Sequence, residues 1–100
     1  MNGVERIAAE RKRQIDEENW SSSHDDQWAG GELARAGAWY ALAVSYRDNI
    51  EGEQIRLWPW DESLKKPSSQ DRIRELEKAG ALIAAEIDRI LRMGYQSNRF

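Results

Sequence analysis

Residues 32–46, "ELARAGAWYALAVSY", are apolar on nearly every face and are built from alanine, glycine and aromatics. A helix with such a surface has to be buried on most sides, and its small residues let neighbouring backbones approach closely. In a chain of 100 residues the core is thin, so this segment must be the centre of it. Everything else in the sequence has to be arranged around that one helix.

Two further segments read as helices. Residues 4–18 are good helix formers, but Val4, Ile7, Ala8 and Ile15 make only a narrow apolar stripe under many charges, which predicts a helix on the surface. In the last third, Ser68 with Asp71 three residues on resembles a capping box and opens the strongest helical pattern of the chain. There Ile73, Leu76, Gly80, Ile83, Ile87 and Ile90 recur at spacings of three and four, predicting one core face, and Gly94 closes the helix. No segment alternates as a strand does. The expected fold is mainly α, a small three-helix domain with two long ordered aromatic loops. Residues 1–100 form one domain, with a core over about 4–93 and a flexible tail over 94–100.

Charge and composition exclude several classes of function. A formal net charge of -3 with 33% charged residues gives no basic field for a nucleic-acid backbone. The absence of cysteine removes disulfides, thiolate zinc sites and cysteine nucleophiles together, and suits a reducing compartment. No apolar run approaches the ~20 residues of a membrane span, and the first residues lack the uncharged core of a signal peptide. A cytoplasmic protein with no membrane partner is expected.

The chemistry is therefore concentrated in the two connections. Residues 19–31, "NWSSSHDDQWAGG", combine turn formers with Trp20 and Trp28, which read as anchors of a loop. His24 is the only histidine, and Asp25 and Asp26 beside it cannot easily face one ion with it, so neither a metal site nor a cofactor is expected. Ser21, Ser22 and Ser23 sit in no nucleophile elbow, and a non-enzymatic protein is expected.

Residues 47–67 form the second connection. Pro59 pushes Trp58 out of the helical region and Pro67 does the same to Lys66, predicting an irregular crossover holding about one turn of helix. Trp39 and Tyr40 read as core. Trp58 and Trp60, held apart by Pro59 beside Asp61, Lys65, Lys66 and Arg72, have the ingredients for stacking a planar ligand and holding its phosphates. They could equally close one end of the bundle. In "ERKRQIDEE", pairs such as Glu10 to Gln14 and Arg13 to Glu17 describe a solvated helix face, although Arg11 and Arg13 could meet a phosphate if this helix packs near the crossover.

The order "HDDQW", "AGAWYA", "WPWDESL", "DRIRELEKAG" resembles the ryanodine-receptor repeat domain, over about residues 24–80. Separately, "ERKRQI", "HDD", "GELA", "WPWD", "KP" and "KAGALIAAEI" look like a family of short proteins common in phages and prophages, over residues 5–92. The chain departs from the repeat domain where Ala38 separates Gly37 from the aromatic pair, and at Trp60, where the repeat usually has tyrosine.

The resemblance implies a module that binds a nucleotide-derived small molecule, a cyclic nucleotide or an ADP-ribose-type signal, and a phage-encoded sponge that antagonises host defence signalling. By position, Trp20, His24 and Asp25 would line one wall of a pocket and Trp58, Pro59, Trp60 and Asp61 the other, with Arg72 closing it. Arg13 joins this set from the first helix. The competing expectation is an adaptor whose tryptophan-rich loops meet a second copy, as a homo-oligomer, or a host protein.

Overall fold

The computed structural model describes residues 1–42, 47, 57–68 and 70–94. Four α-helices and one 3-10 turn lie among them, and no strand. The expected continuation of the central helix over 43–46, residues 48–56 of the second connection and the end of the tail (95–100) lie outside the described residues.

The first helix, α1 (Gly3–Asp16), starts because Asn2 and Glu5 close a capping box, each side chain accepting from the other's backbone N–H at 2.9 Å. It stops two residues short of the expected end, and Asn19 then turns the chain at φ 60°, a left-handed conformation asparagine tolerates. The short α2 (Ser22–Asp26) occupies what reads in the sequence as loop: Ser21 caps it by accepting from the His24 N–H at 3.3 Å. Gly31, at φ 85°, leads into α3 (Glu32–Ala41). A single 3-10 turn, Glu62–Leu64, capped by Asp61, supplies the turn expected in the crossover. The long α4 (Arg72–Arg92) is capped by Asp71, which accepts from the Arg74 N–H at 3.0 Å. Ser68, expected to open this helix, instead accepts a hydrogen bond from Lys78 and donates its own N–H to Glu75.

Helices α1, α2 and α3 all pack on α4. The core is the set Leu33, Ala36, Trp39 and Tyr40 of α3, Trp58 of the crossover, and Ala79, Leu82 and Ala85 of α4. The apolar central helix therefore lies where its composition puts it. Close approach follows from two glycines. A Cβ on Gly37 would lie 3.1 Å from the Ala79 carbonyl oxygen, and one on Gly80 would lie 2.5 Å from Cδ1 of Ile7 in α1.

The core face of α4 is not the expected one. Ile73 and Ile87 are 58% and 53% exposed, Leu76 and Ile83 are exposed too, and the buried face carries Glu75, Ala79, Leu82, Ala85, Glu86 and Arg89. The reason is volume: three large rings, Trp39, Tyr40 and Trp58, already fill the space between α3 and α4, so α4 can present only its alanine-rich side to them. On α1, likewise, Val4, Ala8 and Ile15 are exposed while Glu10 and Gln14 are buried, so the segment expected to be a solvated charged face is the one that faces the interior.

The C-terminus of α3 is closed by arginines. Arg47 donates to the carbonyl oxygens of Trp39 (2.7 Å) and Tyr40 (3.1 Å), lies over the Trp39 ring, and pairs with the buried Glu75 at 3.0 Å. Arg72 donates to the carbonyls of Tyr40, Ala41 and Leu42. The last carbonyls of the helix, which have no partner within it, are satisfied in this way.

Candidate functional site

Where α1, α2, the crossover and α4 converge, they leave a pocket of about 240 Å³. Its walls follow from the local structure. Capped by Ser21, α2 projects His24 onto Trp20, with ring centroids 5.5 Å apart and planes 8° from parallel. Pro59 turns the crossover so that Trp58 and Trp60 stand perpendicular to each other at 5.5 Å. Trp28 bridges the two sides, edge-on to His24 at 6.4 Å and to Trp60 at 5.3 Å. The rings thus run without a break from Trp20 to the Trp58–Trp39–Tyr40 cluster of the core.

The two tryptophans around Pro59 have different roles in the fold. Trp58 is buried, 1% exposed, and donates its indole N–H to the Asp61 carbonyl at 3.0 Å. Trp60 is half-buried. Both nevertheless line the pocket.

His24 is oriented from behind. Its Nδ1 lies 3.0 Å from Oδ1 of the fully buried Asp25, whose other oxygen accepts from Arg11 at 2.9 Å. A carboxylate only accepts, so Nδ1–H is the donor in this contact and the ring is held in one orientation. On the α1 side, Arg13 donates to both oxygens of Glu10, at 2.7 and 3.0 Å, and to Glu18 at 3.1 Å. Burial pushes the Glu10 carboxyl up, but the hydrogen bonds from Arg13 and from Arg74 (2.8 Å) outweigh it and hold it below the ordinary range. Hydrogen bonding to Arg13 lowers Glu18 as well, while the hydrogen bond to Glu10 raises Arg13. Burial raises the Tyr40 phenol, whose oxygen accepts from the Lys66 N–H at 3.1 Å.

Three pocket-lining residues carry buried polar atoms with no hydrogen-bond partner among the described residues: Oε1 of Gln14 and the indole nitrogens of Trp28 and Trp60. Such groups are uncommon in folded proteins, because each forfeits its hydration without replacing it.

Of the residues singled out in the sequence, Arg13, Trp20, His24, Trp58 and Trp60 come together in this pocket. Asp25 stands behind His24 and orients it. Pro59 shapes the turn without lining the cavity, Asp61 caps the 3-10 turn, and Arg72 is spent on the end of α3 instead of closing the pocket. Gln14, read in the sequence as part of a solvated helix face, and Lys78, which was not singled out, line the pocket as well. The sequence carried no signal for Lys78, because its side of α4, four residues before Leu82, is not the one whose periodicity read as core. Among the described residues, no three of histidine, aspartate and glutamate gather closely enough to hold a metal ion, and no helix is long and apolar enough to cross a membrane.

Compared with known proteins, the chain matches no family model, no curated protein and no solved structure. Neither the ryanodine-receptor repeat nor the phage-protein resemblance draws support from these comparisons.

Proposed function

We propose that the pocket binds a nucleotide-derived small molecule without transforming it. The observation that carries this reading is an aromatic wall, Trp20 stacked on His24, in a cavity where Gln14, Trp28 and Trp60 keep buried polar atoms without partners. A planar heteroaromatic ring satisfies both features at once: its face stacks on the wall and its edge supplies donors and acceptors. The cations that line the cavity outnumber its carboxylates and supply positive charge for phosphates. The resemblance to phage proteins extends the reading to sequestration of a host's nucleotide signal. Isothermal titration of the folded protein against cyclic nucleotides and ADP-ribose derivatives tests it. Heat and a raised melting temperature with at least one of them are expected; neither with any sinks the reading.

A second reading, self-association, is favoured by one observation. Ile73, Leu76, Ile83, Ile87 and Leu91 form an exposed apolar stripe on α4. Such an interface would use this stripe and not the tryptophan-rich loops, whose rings pack on one another. Native mass measured over a range of protein concentrations separates the two readings.

A further inference from the structure

We infer that Lys78 is the seat of an anionic group, a phosphate ester, on the molecule bound in the aromatic pocket; this rests on the nucleotide reading above. Lys78 lines the pocket from α4 with its ammonium over the Tyr40 ring, 5.5 Å from the centroid. An ammonium has three donors. Two are used, on the Lys66 carbonyl at 2.6 Å and on Ser68 Oγ at 3.1 Å, and both of these acceptors are neutral.

No carboxylate among the described residues pairs with Lys78, and the two nearest in charge are committed elsewhere. Glu10 is held by Arg13 and Arg74, and Glu75 by Arg47, with Arg72 at 3.6 Å. Burial first, and then the charge of Arg74, hold the Lys78 pKa below the ordinary lysine value. An ammonium left partly desolvated and uncompensated costs stability unless something negative arrives. The lining as a whole agrees: three cations (Arg13, Lys66, Lys78) face two carboxylates (Glu10, Glu18), an excess of one positive charge in a chain whose net charge is -3. Arg13 is paired with Glu10, Glu17 and Glu18, and the largely exposed Lys66 faces Glu18 at 3.5 Å, which leaves Lys78 as the lining cation with no carboxylate partner among the described residues.

The test compares nucleosides with their own phosphates. Adenosine, guanosine, cytidine and uridine are titrated against the protein beside the corresponding 5′-monophosphates and 3′,5′-cyclic phosphates, at two salt concentrations. The wild-type chain is expected to bind at least one phosphate form about 10- to 100-fold more tightly than its nucleoside, with the difference shrinking as salt rises. Lys78→Met should bring the phosphate form to the nucleoside's affinity and leave the nucleoside unchanged. Lys12→Met, which removes an exposed α1 lysine paired with Asp16, should change neither. Equal wild-type affinity for nucleoside and phosphate overturns the inference while the pocket reading stands, and needs no variant to fold. A Lys78→Met protein that keeps the full difference also overturns it. Binding of none of this panel and of none of the ADP-ribose derivatives overturns the pocket reading, and the inference with it.

Discussion

The Nδ1 atom of His24 lies 3.0 Å from Oδ1 of Asp25, while Oδ2 of the same carboxylate accepts from Arg11 at 2.9 Å. One fully buried acid thus ties the short helix α2 to α1 and fixes the ring that forms half of the aromatic wall. Asp25→Ala should therefore cost about 3 kcal/mol in urea denaturation, because it leaves the Arg11 guanidinium, itself largely buried, without its counter-charge. A loss under about 1 kcal/mol would show that Arg11 finds water or another acid, and that the pair does not hold α2 in place.

Trp58 and Trp60 are two positions apart and should respond differently to truncation. Trp58→Ala removes a ring that is 1% exposed, touches Trp39 and Tyr40, and is hydrogen-bonded to Asp61; about 3 to 5 kcal/mol should be lost. Trp60→Ala removes a half-buried ring on the open side and should cost about half as much, while abolishing ligand heat in the titration. Equal stability losses for the two would contradict the division of labour between core and pocket.

How far the sequence could be read depended on which residue filled the core. The central helix was legible because alanine, glycine and aromatics occupy all its faces; Leu33, Ala36, Trp39 and Tyr40 are indeed buried. The existence of α4 was legible too, from its period and from Asp71 near its start. Its orientation was not. The 3–4 spacing of Ile73, Leu76, Ile83 and Ile87 is a valid helical stripe, but periodicity reports only that a face is apolar. Which face turns inward depended on Trp58 arriving from a crossover distant in sequence. Five pocket residues were legible as aromatic or cationic side chains in unusual places, whereas Gln14 and Lys78 carried no local mark and became meaningful only through their neighbours. The measurable consequence is an inversion of expected costs. Leu82→Ala should lose about 2 to 5 kcal/mol, whereas Ile87→Ser, on the regular stripe, should stay within about 0.5 kcal/mol in dilute solution. A melting temperature of Ile87→Ser that falls further below wild type as protein concentration rises would instead identify the stripe as an interface.

The acid limb of stability should report the Glu10 cluster. Three hydrogen bonds, two from Arg13 and one from Arg74, hold the buried Glu10 carboxylate below its ordinary value of 4.5 despite the opposing effect of burial, and Glu18 is lowered in the same direction by Arg13. A carboxyl whose folded pKa lies below its unfolded one contributes stability that is fully present above the unfolded value and is lost as pH falls through the folded one. Urea midpoints should accordingly be level from about pH 8 to pH 6 and fall below about pH 4.5, where the unfolded chain begins to take up protons that the folded chain refuses. Glu10→Gln should lower the midpoint at pH 7, since Arg13 and Arg74 lose a shared counter-charge, and should make the acid fall shallower because the proton linkage of that site is gone. An acid limb as steep in Glu10→Gln as in the wild type would place the linkage in other carboxylates and remove Glu10 as the electrostatic anchor between α1 and α4.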